Sequence, residues 1–304
     1  MRPSPSLVLT YHRIVSGRDP LQQCVEPGRL VDQVSVLREL ADVVPLAELD
    51  KPSRSRRVAV TFDDGYADNA AVAAPILRDA AVPATFFIPS RILEDRTEYW
   101  WDRLEHAHLD GAPQAATVDV APAGRRVRID VRSEAGRLRS LKALNRRLRS
   151  LPLTVVEPLV AEIAGQLRAS PSAACDAHAV MGATDVASIA AEPLFEIGSH
   201  GITHVMLSAL PSADQEAELR ASRASLERAT GRPVTSLAYP FGTVVAFTEE
   251  TIRLAQESGY QRACSNVAGP GHANRGRYRL PRHMVYDWSR DEFLHNVRRW
   301  FDSL

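Results

Sequence analysis

Short apolar runs recur along this chain with helical stretches between them, and that rhythm constrains the fold more than any other feature. Leu7-Val8-Leu9-Thr10-Tyr11, Val58-Ala59-Val60-Thr61-Phe62 and Ala84-Thr85-Phe86-Phe87-Ile88 are apolar at nearly every position. Each therefore reads as a strand buried on both faces. Between the first two runs, Leu30, Val34, Leu37 and Leu40 follow Pro27 at helical spacing; between the second and third, Ala70, Ala74, Ile76 and Leu77 mark another helix. Strand–helix–strand repeats with uniformly apolar strands predict an α/β fold, a parallel sheet covered by helices. The rhythm resumes late in the chain. Strands are expected at Phe195–Gly198, Thr235–Ala238, near Gln261–Ser265 and near Tyr278–Pro281, with helices over 211–229, around 249–258 and from Asp291.

Between about Glu94 and Ala183 the rhythm breaks. This stretch holds an aromatic helix start (Tyr99-Trp100-Trp101), a polar Gly/Pro-containing run, an alternating segment from Val127 to Val131, and basic helices carrying Leu138, Leu141, Leu144 and Leu148. No string suited to metal chemistry falls here. We expect an inserted subdomain or lid over 94–183, with 1–93 and 184–304 forming the main domain. A length of 304 residues fits one barrel-like domain with an insertion as well as it fits two domains.

The chain is 45% hydrophobic and 24% charged, an ordinary globular composition. Its 37 basic and 37 acidic side chains cancel, which excludes an overall drive toward nucleic acid or an anionic membrane. The Arg/Leu helix at 137–149 reads as a solvated basic face; an RNA-binding role would show itself as steeply salt-dependent affinity. No segment approaches the roughly 20 apolar residues of a membrane span. Cys24, Cys175 and Cys264 are odd in number and fit no zinc-finger spacing. They read as reduced thiols, and with no leader pattern at Met1–Ser6 the expected location is cytoplasmic.

Two strings carry the chemistry. Thr61-Phe62-Asp63-Asp64-Gly65 places adjacent carboxylates at the end of an apolar strand, where parallel α/β folds keep their active sites. His200-Gly201-Ile202-Thr203-His204 follows another apolar run; an opening helical turn would bring both imidazoles to one face. Two imidazoles and one carboxylate leave coordination positions for water and a carbonyl oxygen, while the other carboxylate stays available as a base. Asp-Asp-Gly alone reads as a turn, and either histidine alone as a loop residue. Together they point to a metal-dependent hydrolase. A third string, Ala238-Tyr239-Pro240-Phe241-Gly242, combines a rigid Pro with a permissive Gly and can aim a backbone N–H at a developing oxyanion.

In this order the three strings resemble the motifs of the polysaccharide deacetylase family, the NodB-homology carbohydrate esterases (carbohydrate esterase family 4). The resemblance covers roughly residues 6–90 and 192–300, and it implies a distorted (β/α) barrel of NodB-homology type with a mainly helical insertion. It implies Asp63 as the base, and Asp64, His200 and His204 as ligands of a divalent metal, Zn2+ foremost, with Co2+, Ni2+ or Mn2+ as alternatives. Tyr239, Pro240 and Phe241 would shape the acetate pocket. Two positions depart from the family. Ala238 stands where the third motif commonly carries a base-steering Arg, and Arg282, in Leu280-Pro281-Arg282-His283, is the candidate substitute. The final family motif, a strand ending in a general-acid His, is missing from the C-terminus but resembles Leu9-Thr10-Tyr11-His12. The chain is thus similar to a circularly permuted branch, with His12 as the acid; His283 and His295 are weaker candidates.

The implied reaction is removal of an N-acetyl group from an N-acetylated amino sugar, whether glycoside, saccharide or natural-product intermediate. Trp100 and Trp101 are expected either to stack on a sugar ring or to tie the insertion to the barrel. Competing readings are a deformylase, a non-sugar amide hydrolase on the same site, and a catalytically silent carbohydrate-binding homologue.

Overall fold

The computed structural model of the protein describes every residue except 1–5, 50, 52, 112–116, 122–123, 125, 170–177, 270–275 and 304. Cys175 and most of the Met1–Ser6 segment lie outside the described residues; Cys24 and Cys264 are free, buried thiols. The chain divides into two compact units, Met1–Arg96 with Val180–Leu304, and Thr97–Ala179.

In chain order the strands begin with β1 (Ser6–Tyr11), β2 (Arg13–Ile14), β3 (Cys24–Val25), β4 (Asp42–Val43), β5 (Arg57–Phe62) and β6 (Ala84–Ile88). The second unit contains β7 (Thr117–Val120) and β8 (Val127–Asp130). The first unit then continues with β9 (Phe195–Ser199), β10 (Ser236–Ala238), β11 (Arg262–Cys264) and β12 (His283–Met284). Its main sheet runs β11-β10-β9-β6-β5-β1-β12, with β4 also paired to β5. Every pairing in that sheet is parallel. A bridge between Cys264 and Leu280 turns the segment before β12 back onto β11, so the sheet curls into a barrel-like α/β fold. The strand expected near Tyr278–Pro281 forms later, at His283–Met284. Within the expected stretch Leu280 makes an isolated parallel bridge to Cys264, whereas His283–Met284 pair with β1.

Alternation along the strands separates two faces. One face fills the lumen with Val8 of β1, Ala59 of β5, Phe87 of β6, Ala238 of β10, Cys264 of β11 and Leu280, all packed with Leu46 and Leu49. Strand β9 contributes Gly198 to this region. A Cβ there would sit 2.4 Å from the Phe87 ring, so only glycine permits the approach. On the other face, an aromatic row crosses four neighbouring strands: Tyr11 stacks on Phe62, Phe62 on Phe86, and Phe86 meets Phe195 edge-on. The apolar runs that made these strands legible are therefore buried on both sides.

The Thr97–Ala179 unit has helices Trp100–Asp110, Glu134–Leu148 and Leu153–Gln166 beside the antiparallel β7–β8 hairpin. The first helix packs against both of the others. Leu104, Ile129, Leu141, Leu144, Leu148, Val156, Val160 and Ile163 are buried in it. Ser133 caps the second helix by accepting from the Gly136 N–H, satisfying a donor the helix cannot pair internally.

Candidate active site

Strand β5 delivers Asp63 and Asp64 to its C-terminal end. Asp64 adopts φ 72° and Gly65 φ 68°, so the chain bends sharply there. Side chains of successive strand residues diverge, but this left-handed bend brings both carboxylates to one buried pocket. The histidine string follows β9, two strands away. It forms no helical turn; instead Gly201 (φ 75°) and His204 (φ 57°) fold the loop back. The two imidazoles still meet, ring centroids 4.6 Å apart and nearly perpendicular.

Asp64, His200 and His204 converge so that one ligand atom from each lies within 4.8 Å of the others, and all three are buried. Asp64 Oδ1 is 3.1 Å from His204 Nε2 and 3.4 Å from His200 Nε2. His200 Nδ1–H donates to the Ala238 carbonyl at 2.7 Å, which turns its Nε2 toward the carboxylate. Burial opposes charge on Asp64, yet the neighbouring imidazoles outweigh it and hold the carboxyl well below its usual range. One carboxylate and two imidazoles form a donor set that suits a divalent cation with an open position.

Asp63 is held differently. Arg282 Nη1 donates to Asp63 Oδ1 at 2.7 Å and Nη2 to Oδ2 at 2.6 Å, a bidentate pair with both side chains fully buried. Arg282 also donates to Thr61 Oγ1 at 3.2 Å and, through Nε, to the Ser265 carbonyl at 3.4 Å; its guanidinium lies over the Phe87 ring. Burial works against the charge of Asp63, but the Arg282 charge and hydrogen bonds prevail, keeping its pKa below the ordinary carboxylate value. Asp63 Oδ2 lies 3.9 Å from His200 Nε2, beside the Asp-His-His set but engaged elsewhere.

A family model described as polysaccharide deacetylase matches residues 50–116 and 173–263, just over half of the chain. The chain belongs to the polysaccharide deacetylase family. A curated relative named for the same family, YxkH of Bacillus subtilis (strain 168), is 30% identical over 86 residues. That match spans only 28% of this chain and 30% of the relative. Among solved structures, the Streptococcus pyogenes deacetylase PplD, in complex with acetate, superposes with a TM-score of 0.62 at 16% identity. It covers 96% of this chain and 98% of its own. IcaB from Ammonifex degensii gives 0.63 at 15% identity, covering 98% and 97%. At such identities the likeness is one of fold.

The polysaccharide deacetylase strings sit around this pocket with differing degrees of commitment. Phe241, at φ 62°, presents its ring edge-on to His204 with centroids 4.7 Å apart, and Pro240 is buried close to Gly201. Tyr239 turns to the barrel wall instead: it is fully buried, stacks on Phe247 at 4.2 Å and donates to the Tyr278 carbonyl. Ala238 contributes through its carbonyl, and its small side chain packs in the cluster that includes Phe87 and Cys264. His12 follows directly on β1 and is 8% exposed, near enough that charge on its ring favours the ionised forms of Asp63 and Asp64. His283 stacks on Trp300 at 4.3 Å, and burial lowers its pKa to about 4; His295 is exposed on the Arg290–Asp302 helix. Trp101 belongs to the other unit, buried and stacked on Tyr99 at 4.3 Å with Trp100 edge-on to it.

Sequence reasoning passed over several residues that serve this site. Asn69 donates to the His12 carbonyl at 2.8 Å, and Asp68 accepts from the Ile14 N–H at 2.9 Å, so the residues just beyond the Asp pair bracket the His12 segment. Their position shortly after Gly65 was the available signal. Glu218 and Ser222 grip the histidine loop from the Ser212–Thr230 helix that follows it, where no string marks them.

Proposed function

We propose that this family member is a metal-dependent N-deacetylase that hydrolyses the acetamido group of an N-acetylated amino sugar. The observation that carries the reading is the division of labour within one buried pocket. Asp64 joins two imidazoles in a cation-binding set, while the adjacent Asp63 is held out of that set by Arg282. A divalent cation, Zn2+ in the first instance, would supply Lewis-acid polarisation of the acetyl carbonyl and acidify water. Asp63 takes the proton as water attacks, and Arg282 fixes the carboxylate so that it does so from one geometry. The Phe241 N–H serves as oxyanion donor. His12 protonates the departing amine, since an amide nitrogen leaves poorly without a proton.

With His12 as the acid, we read the chain as similar to a circularly permuted branch of the family. Sheet order supports this: β1 lies between β5 and β12, the strand of Asp63 and the strand next to Arg282. Purified protein loaded with Zn2+ and offered a panel of N-acetylated glycosides is expected to release acetate. Asp63→Asn should retain Zn2+ and lose about 10²- to 10⁴-fold in turnover; Asp64→Ala should lose both metal and activity. Full turnover in Asp63→Asn would remove the assigned base, and release of formate in place of acetate would move the reaction to a deformylase.

A further inference from the structure

The loop between the two histidines is costly to form. His204 lies in the left-handed region, which a residue with a Cβ adopts only where its surroundings enforce it. The enforcing contacts come from one face of the Ser212–Thr230 helix, where Glu218 and Ser222 stand one turn apart. Glu218 Oε2 accepts from the backbone N–H groups of Ile202 at 2.6 Å and Thr203 at 3.2 Å. Its Oε1 accepts from the Thr203 hydroxyl at 2.7 Å. Ser222 donates to the Gly201 carbonyl at 2.7 Å and shares a 2.8 Å hydrogen bond with Ser199. The residues gripped in this way are Ser199, just before His200, and Gly201, Ile202 and Thr203, between the two histidines. Gly201 also allows the close fit, because a Cβ there would lie 3.1 Å from Glu218 Oε2.

From this we infer that Glu218, assisted by Ser222, is a positioning residue for the metal ligands: it sets the loop backbone so that His204 Nε2 faces Asp64. The inference rests on the reading of Asp64, His200 and His204 as a cation site. A carboxylate that saturates three donors of a ligand loop acts before any metal arrives, since it removes alternative loop conformations that metal binding would otherwise have to exclude. Partners of this kind outside the ligands themselves carry about 10- to 100-fold in metal affinity.

The test is Zn2+ affinity, measured by competition with a chromophoric chelator, alongside the melting temperature of the metal-free chain and acetate release at saturating Zn2+. Glu218→Ala is expected to weaken Zn2+ binding about 10- to 100-fold, with turnover largely regained in excess Zn2+. Glu218→Gln keeps an acceptor for the two N–H groups and should restore most of the affinity. Thr203→Val removes a single bond and should show a smaller loss, which gives the same reading if Glu218→Ala fails to fold. Unchanged affinity in both Glu218→Ala and Thr203→Val would overturn the inference even if the melting temperature falls. So would a Gln variant as weak as Ala, because charge rather than positioning would then be responsible. Wild-type protein that takes up no Zn2+ would overturn the cation site itself, a failure distinct from these.

Discussion

The two units of the molecule differ in how much charge they bury. In the barrel unit, Asp63, Asp64, His200, His204 and Arg282 are all buried, and two of these residues, Asp64 and His204, are left-handed in backbone. The Thr97–Ala179 unit keeps most of its ion pairs at the surface. Asp119 pairs there with Arg126 and Arg128, and Asp130 with Arg132, around an interior dominated by Leu, Ile and Val. Removing charge from water costs several kcal/mol per ion unless partners restore it, and hydrophobic residues of similar volume are often at least as stabilising. The concentration of buried charge and backbone strain in one unit therefore marks where stability has been exchanged for chemistry. The helical unit shows the ordinary way of building a core.

This contrast can be broken most forcefully at Arg282. Arg282→Met leaves Asp63 buried without its partner and should cost about 3–5 kcal/mol, read from denaturant unfolding. The double variant Asp63→Leu with Arg282→Met should regain most of that stability and remain inactive; failure to recover would mean that the pair holds the barrel together. The pH dependence has a definite sign. The pKa of Asp63 is lowered in the folded state, so the pair contributes stability at neutral pH that is lost as pH falls through that lowered value.

The helical unit offers a smaller, separable effect at His108. Burial lowers its pKa from 6.5 to about 4, and its Nδ1–H donates to the Leu104 carbonyl. The unfolded chain binds the proton first, so stability is full above about pH 6.5 and falls progressively toward pH 4. The loss amounts to roughly 3 kcal/mol at most. Melting curves of His108→Leu across that range should have a shallower pH slope than those of the parent; an unchanged slope would assign the titration to other groups. At the bottom of the scale, Arg128→Ala cuts an exposed pair with Asp119 and should leave the melting temperature unmoved. A clear drop would show that surface charge does carry stability in this unit.

Much of this was legible residue by residue. Uniformly apolar runs declared the parallel strands, and the polar strings at their ends declared which residues meet, because parallel sheets collect their C-terminal ends on one side. The bends themselves were less visible. His200 and His204 were expected to share a face through a helical turn, yet they converge through left-handed backbone at Gly201 and His204, a conformation that no periodicity signals. The partner of Asp63 was foreseen only as a candidate. More than two hundred positions separate Arg282 from Asp63, and spacing carries no information across such a gap.

The sequence by itself therefore determined the parallel sheet, the family and the Asp-His-His donor set, since these follow from local patterns: apolar periodicity and motifs compact enough to be read in one place. Only the tertiary structure decided how the site is held. Arg282 reaches Asp63 across the lumen, the Ala238 carbonyl orients His200, and Glu218 grips the histidine loop from another helix. Arg282 and Asp63, like Ala238 and His200, stand far apart in the chain, and the curl of the sheet is what brings them within reach.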